Sequence, residues 1–235
     1  MHNINKWPTI IQNYLYPPTC LLCGQNCELP TNICTHCRLS LPFSKNNCIS
    51  CAAEFAYDSK PSLHCGTCTS QPPPFEITVS AFQYKEPIRY LIRAFKYHSN
   101  YAAGHLLGSL LKNILQKRTE LPQRIIPVPL HSGRYRARGF NQAAELAKPI
   151  ARALNMPLEL KRCRRIRQTV PQASLHANLR EKNIRNAFEV TEKIPADYVA
   201  IIDDVVTTGA TVKELSRTLI NSGIKRIEIW TCAKA

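Results

Sequence analysis

Residues 201–211 read Ile-Ile-Asp-Asp-Val-Val-Thr-Thr-Gly-Ala-Thr, and this stretch decides how the rest of the chain is interpreted. Its apolar start predicts a strand that ends in two adjacent carboxylates, a turn of small residues and then a helix. Such a junction suits a phosphate-bearing sugar, because free backbone N–H groups and hydroxyls can surround the phosphate there. Gly209 permits a backbone conformation, and a closeness of approach, that a Cβ atom would obstruct.

We predict separate binding roles along this stretch. Asp203 and Asp204 are the predicted catalytic residues, placed to accept hydrogen bonds from ribose hydroxyls or to hold a divalent cation. The residues predicted to bind the sugar phosphate are Thr207, Thr208, Gly209, Ala210 and Thr211. The alternative is a buried strand that ends in an ordinary turn, with Asp204 or Thr208 capping the next helix. Two acids followed by Thr-Thr-Gly-x-Thr favour the binding site.

The segment resembles the 5-phosphoribosyl-1-pyrophosphate (PRPP) motif of type I phosphoribosyltransferases. It differs from the nucleotide P-loop, since no Gly-Lys-Ser/Thr sequence follows. The resemblance implies that the ligand is PRPP or a related phosphosugar. It also implies that Mg²⁺ accompanies PRPP, bridging the pyrophosphate and the ribose.

A second strand, basic turn and helix occupy residues 125–154. Three arginines stand at alternate positions in the turn, and guanidinium groups bind phosphate oxygens in pairs. The turn resembles the pyrophosphate-binding loop of type I phosphoribosyltransferases. The residues that we assign to substrate binding here are Arg136, Arg138, Gly139, Asn141 and Gln142. The alternative is an exposed basic turn in which Asn141 caps the following helix.

Residues 162–172 are dense in arginine and lack apolar periodicity, which predicts a mobile cover instead of packed structure. They resemble the flexible catalytic loop that closes over PRPP and excludes water. A nucleic-acid contact strip is the alternative use of the same residues. The sequence identifies no general base, and His131 and His176 are candidates only by type and by proximity in sequence.

Eight of the eleven cysteines form four Cys-x-x-Cys pairs, each able to present two thiolates to a tetrahedral zinc ion. Sequential pairing gives one site from Cys20, Cys23, Cys34 and Cys37 and another from Cys48, Cys51, Cys65 and Cys68. Cross-braced pairing is the alternative, but short loops close at lower entropic cost. We therefore expect one or two structural zinc ions, with sequential pairing predicting two. Cys27 lies off the pattern and is interpreted as a bystander.

Almost all of the formal net charge of +15 falls after residue 74. Such an excess favours an anionic partner, either pyrophosphate or nucleic acid, although a basic solubilising surface would give the same composition. No apolar stretch reaches the roughly eighteen residues that cross a bilayer, and the amino terminus lacks the apolar core of a signal peptide. We expect a cytoplasmic protein without membrane insertion.

The chain divides at a run of three prolines, residues 72–74. Residues 1–70 are predicted to form the zinc-binding domain, residues 71–80 a Pro-rich linker, and residues 81–235 the second domain. The second domain alternates strand and helix patterns, with helices predicted over 87–97, 101–117, 142–154 and 211–221. Strands are predicted over 81–84, 124–130, 199–203 and 226–231. This alternation is typical of an α/β fold with a mostly parallel sheet.

In combination, the motifs resemble the competence protein F (ComF)/GntX-like family, from about Cys20 to the carboxyl terminus. The matching segments are the four cysteine pairs and residues 138–142, 168–172, 183–188 and 202–209. The resemblance implies a type I phosphoribosyltransferase-like, mostly parallel sheet with helices on both faces, preceded by a small cysteine-rich double zinc ribbon. It also implies a part in natural transformation, in the uptake and handling of single-stranded DNA.

Three functions are compatible with these features. The first is an enzyme that transfers phosphoribosyl from PRPP to an acceptor and releases pyrophosphate. The second is a non-catalytic protein that senses PRPP and binds single-stranded DNA or a DNA-processing partner. The third, a transcriptional regulator with PRPP as effector, ranks last because no helix-turn-helix is evident.

The second function would use the zinc ribbons, the basic helix face over 89–96 and the arginine loop. Single-strand grooves also need aromatic side chains on which bases stack. Five aromatic residues lie among the basic ones: Phe95, Tyr97, Tyr101, Tyr135 and Phe140. Core packing explains them equally well from sequence alone.

Overall fold

A computed structural model describes residues 17–27, 32–56, 63–169 and 182–235. The helices are α1 (Thr35–Leu39), α2 (Gly66–Ser70), α3 (Ile88–His98), α4 (Tyr101–Leu115), α5 (Ser132–Arg138), α6 (Gln142–Ala153) and α7 (Ala210–Asn221). The strands are β1 (Ile77–Gln83), β2 (Arg124–Pro127), β3 (Cys163–Arg165), β4 (Phe188–Val190), β5 (Tyr198–Val206) and β6 (Arg226–Lys234). None of the described helices combines the length and the apolar character that a bilayer-spanning helix needs.

The main sheet has the strand order β1-β6-β5-β2, and every neighbouring pair in it is parallel. Parallel neighbours need crossover connections, which the helices between the strands supply. The short strands β3 and β4 form a separate antiparallel pair. All carboxyl ends of the main sheet lie at one edge, where β5 delivers Asp203 and Asp204.

Helices cover both faces of the main sheet. Ile125 packs in the apolar cluster that holds α3, α4 and α6, whereas its neighbour Ile126 packs in the cluster that holds α7 and β4. This division follows from the strand geometry, because successive side chains point to opposite faces. The predicted fold, a mostly parallel sheet with helices on both faces, is confirmed.

Strand β1 begins earlier than its apolar pattern predicted, at Ile77 instead of Ala81. Its first half includes Thr78 and Ser80, which are polar yet buried. The Thr78 hydroxyl donates to the Ser50 carbonyl and the Ser80 hydroxyl to the Phe82 carbonyl, so neither is left unsatisfied. The core sheet therefore starts within the range predicted as a linker.

The cysteine-rich segment covers the outer edge of β1. The backbone N–H groups of Ser44, Thr78 and Gln83 donate across this edge, to Ala81, Ile49 and Pro42 respectively, each at 2.9 Å. The rings of Phe43 and Phe82 lie 5.0 Å apart, and several residues of the segment belong to the main apolar core. An edge strand is thereby protected from pairing with other chains.

Two segments that we predicted to be irregular contain regular structure. Residues 132–138 of the basic turn form helix α5, which His131 caps by accepting the Gly133 N–H at 3.2 Å. Residues 163–165 of the predicted mobile cover form β3, with Cys163 and Arg165 buried. Alternate burial over three residues is too short a signal to find in an arginine-rich stretch. Residues 170–172 of that cover lie outside the described residues.

Candidate functional site

The predicted phosphate loop lies at the carboxyl edge of the sheet. Strand β5 ends at Val206 and α7 begins at Ala210, so three residues make the turn. Gly209 has φ of +79°, which favours glycine; a Cβ atom there would meet protein atoms no closer than 3.9 Å, so conformation is the requirement. The Lys234 ammonium donates to the Thr207 carbonyl at 2.8 Å and holds the start of the loop.

The two carboxyl groups differ in charge state. Although burial opposes ionisation, Lys96 and its hydrogen bonds lower the pKa of Asp204 below its usual value. Burial and the adjacent charge of Asp204 raise the pKa of Asp203 to about 8. The pair therefore carries close to one negative charge at neutral pH, and the Asp203 carboxyl also accepts the Asp204 backbone N–H at 2.9 Å.

Lys96 is a site residue, although from the sequence we predicted only that it lies on a basic helix face. Its ammonium donates to both carboxylate oxygens of Asp204, at 2.8 and 3.2 Å, and its side chain is 27% exposed. One feature of the sequence could have indicated that Lys96 faces the site. Lys96 lies four residues after Ile92, which is buried, and so stands at the border of the apolar stripe of α3.

Arginines surround the acid pair. Arg138 lies 5.7 Å from the Tyr97 ring and contributes to the low pKa of Asp204. Burial, together with the charge of Arg134, lowers the pKa of Arg165 to about 10, and Asp203 opposes this shift. Arg134 and Arg165 both donate to Thr169, to its carbonyl and its hydroxyl respectively. The side chain of Arg136 is exposed.

Of the other residues of the predicted pyrophosphate loop, one caps a helix, one is buried and one ends a helix. The Asn141 side chain accepts the backbone N–H groups of Ala143 and Ala144 and donates to the Val128 carbonyl, so it caps α6. Gln142 is buried, and its Nε2 atom has no hydrogen-bond partner among the described residues. Gly139 ends α5 with φ of +83°. His131 is a helix cap, and His176 lies outside the described residues.

Asn141→Ala is expected to lower the free energy of unfolding by about 1–2 kcal/mol, because it removes a helix cap and a further hydrogen bond. Urea unfolding of the variant would measure this loss. Asn141→Asp is the matched control, since it keeps the acceptor for α6 and loses only the bond to Val128. Equal stability of Asn141→Ala and the wild type would show that the cap contributes nothing.

The acid pair does not offer a good site for a protein-held Mg²⁺. Magnesium prefers free carboxylate oxygens in octahedral arrangement. Both oxygens of Asp204 already accept bonds from Lys96, and the raised pKa of Asp203 disfavours its charged form. The prediction that these aspartates hold the cation is therefore not supported, and the cation beside Asp204 is an ammonium group.

The eight paired cysteines form two clusters in the sequential order. Cys20, Cys23, Cys34 and Cys37 form one and Cys48, Cys51, Cys65 and Cys68 the other, with the sulfur atoms of each cluster within 4.8 Å of one another. The Cys23–Cys34 and Cys51–Cys65 sulfur distances are both 3.7 Å. Four thiolates on a tetrahedral zinc ion would stand about 3.8 Å apart, whereas a disulfide needs about 2.05 Å.

Backbone groups support the thiolate form of the ligands. The N–H groups of Cys37 and Cys65 donate to the sulfur atoms of Cys34 and Cys48, at 3.4 and 3.2 Å. Burial opposes ionisation of Cys48, yet hydrogen bonds from nearby groups, first among them the backbone N–H groups of Cys51 and Cys65, lower the pKa of its thiol to about 7, whereas burial raises the pKa of the Cys51 thiol to about 11. Because zinc binds thiolates, both clusters fit zinc sites with four cysteine ligands. Cys27 belongs to neither cluster.

Comparison with known proteins finds a family model for the cysteine-rich segment and relatives of most of the chain. The double zinc ribbon family model matches residues 11–69. The DNA utilization protein YhgH of Salmonella typhimurium is 34% identical over 220 residues, covering 91% of this chain and 96% of that protein. Competence protein F of Haemophilus influenzae is 34% identical over 224 residues, covering 86% and 96%. The competence protein ComFC of Streptococcus pneumoniae is 22% identical over 233 residues, covering 92% and 99%.

Among solved structures, a purine phosphoribosyltransferase from Pyrococcus horikoshii Ot3 is 17% identical and gives a TM-score of 0.29. The match covers 67% of this chain and 87% of that chain. At this TM-score the likeness carries no argument about the site.

Proposed function

Because this chain belongs to the family of competence protein F and DNA utilization protein YhgH, we propose that it binds PRPP and acts in DNA uptake or use. The observation that carries PRPP binding is the junction of β5 and α7. There two acids, a turn with a left-handed glycine and a helix N-terminus follow one another at the carboxyl edge of a parallel sheet. Cations from three other elements surround the acids.

Each part of the junction has a role in this proposal. Asp203 and Asp204 accept hydrogen bonds from the ribose hydroxyls. Residues 207–211 hold the 5′-phosphate against the first turn of α7, where the helix dipole favours a negative charge. Arg138 and Lys96, which both interact electrostatically with Asp204, are the cations assigned to the pyrophosphate of the same ligand. They balance its charge.

Transfer of the phosphoribosyl group would follow from the same arrangement. The bond between C1′ and the pyrophosphate oxygen breaks, and its electron pair leaves with pyrophosphate. A nucleophilic atom of the acceptor bonds to C1′, and its proton is lost to solvent. The arginine and lysine side chains stabilise the charge that develops on the leaving group.

Calorimetric titration with PRPP, and with ribose 5-phosphate as comparator, tests the proposal. We expect one PRPP per chain and weaker binding of ribose 5-phosphate, which lacks the pyrophosphate that the cations attract. Absence of binding up to about 1 mM PRPP would contradict it. Pyrophosphate release in the presence of candidate acceptor bases tests transfer separately from binding.

A second candidate function is single-stranded DNA binding, and the exposure of three tyrosines favours it. Tyr97, Tyr101 and Tyr135 are 59%, 49% and 52% exposed, whereas Phe95 and Phe140 are buried. Tyr97 lies at the end of α3 that carries Lys96, Tyr101 begins α4, and Arg138 of α5 lies over the Tyr97 ring. Exposed rings beside arginines suit stacked bases and their phosphates.

Tyr97→Ala is expected to weaken binding of a short oligothymidine by roughly 10-fold, because stacking contributes about 1–3 kcal/mol for each base. Fluorescence anisotropy at two salt concentrations measures the affinity and its electrostatic part. Tyr90→Ala is the matched control: Tyr90 is 55% exposed on the same helix, two turns before Tyr97. Equal affinity of the two variants would remove the tyrosine surface from the proposal.

A further inference from the structure

Lys96 occupies the position beside Asp204 where the sequence predicted a divalent cation. Its ammonium bonds both oxygens of Asp204, 108 residues further along the chain. Asp204 is 7% exposed and Lys96 27% exposed at the side chain, so the pair is mostly desolvated but open on the lysine side. An ammonium group has three donors, and the open side leaves donor capacity for a ligand.

We propose that Lys96 is a positioning residue that replaces a protein-held Mg²⁺, so that this chain binds PRPP without the metal. The inference rests on the proposed PRPP site. Lys96 neutralises Asp204, and with PRPP bound it would lie between that carboxylate and the pyrophosphate. Without it, the two groups would repel each other across a poorly solvated gap.

The charges around the acid pair support this role. Lys96, Arg138 and Arg165 all interact electrostatically with Asp203 or Asp204. The acids together carry close to one negative charge, so the cations exceed the carboxylates before any ligand arrives. A pyrophosphate group therefore meets a positive site that needs no further ion to become attractive.

Calorimetry with PRPP, in the presence of either EDTA or Mg²⁺, tests the proposal on the full-length protein. We expect wild-type affinity in EDTA to lie within about tenfold of that in Mg²⁺. Lys96→Met should lose about 10- to 100-fold in EDTA, the range for a charge-assisted bond. Part of this loss should return in Mg²⁺, because Asp204 is then free to bind the metal. Lys96→Arg should retain metal-independent binding.

Two further variants separate this role from a structural one. Lys96→Gln can still donate to Asp204 and should fold, yet it should bind PRPP as weakly in EDTA as Lys96→Met. Arg93→Met removes a charge from the exposed face of the same helix and should leave both affinities unchanged. Equal metal dependence of Lys96→Gln and wild type would overturn the proposal, as would wild-type binding that requires Mg²⁺. Absence of PRPP binding in both conditions would refute the proposed function itself.

Discussion

Removing zinc from the double ribbon is expected to lower the thermal midpoint of the whole chain by more than about 10 °C. Structural zinc ions contribute about 10 kcal/mol or more to the folding of zinc-finger peptides near neutral pH. In a chain of this size, each kcal/mol corresponds to about 2–4 °C. The effect should extend beyond the ribbon, because Cys20, Cys37 and Leu41 pack in the same apolar core as β1 and α3.

Circular dichroism melts before and after zinc extraction measure the midpoint, and mass spectrometry measures zinc content. We expect two zinc ions for each wild-type chain and one for Cys51→Ser. Cys27→Ser is the matched control, since Cys27 packs beside the first cluster but is not a member of it. The prediction is wrong if zinc extraction leaves the midpoint unchanged or if Cys51→Ser retains two ions.

Loss of the ribbon should also change how the chain associates. Residues 42–50 occupy the outer edge of β1 through three backbone hydrogen bonds. Zinc extraction should free the N–H and C=O groups of this edge, which can then pair with another chain. Light scattering of the extracted protein should therefore show concentration-dependent association below the unfolding temperature.

The double variant Asp203→Ala/Asp204→Ala is expected to lose about 100-fold in PRPP affinity, with zinc content unchanged. The ribose hydroxyls would lose the charged acceptor Asp204, to which a hydrogen bond contributes about 1.5–3 kcal/mol, and the mostly neutral acceptor Asp203, to which one contributes about 0.5–1.5 kcal/mol. Calorimetry measures the affinity. Asp197→Asn is the control, because Asp197 forms an exposed ion pair with Lys225 away from the site.

The single variant Asp203→Asn tests the raised pKa of Asp203 in the folded protein. In the folded protein, burial and the charge of Asp204 raise the pKa of Asp203 to about 8, against about 3.9 in an unfolded chain. Between these values the folded state binds more protons, so wild-type stability falls as pH rises. The midpoint of Asp203→Asn relative to wild type should therefore increase from about pH 4 to about pH 8. A difference that does not change with pH would place the Asp203 pKa near its usual value.

Much of the fold could be predicted from local patterns. The four Cys-x-x-Cys pairs indicated the metal clusters and their sequential order, since short loops close at low entropic cost. Alternating strand and helix patterns indicated the parallel sheet, and residues 201–211 indicated the β5–α7 junction. Each cysteine cluster lies within 21 residues of chain and the β5–α7 junction within 11, so nearby positions carry the information.

The tertiary structure alone decided which side chains meet. Lys96 could be paired with Asp204 only once α3 was packed on the sheet, because 108 residues separate them. Tertiary packing also decided that residues 42–50 cover the edge of β1. It likewise decided that Tyr97 is exposed whereas Phe95 is buried. The sequence determined which chemical groups stand at the end of each strand. Packing determined which charges became partners, because an ion pair depends on distance in space and not on distance along the chain.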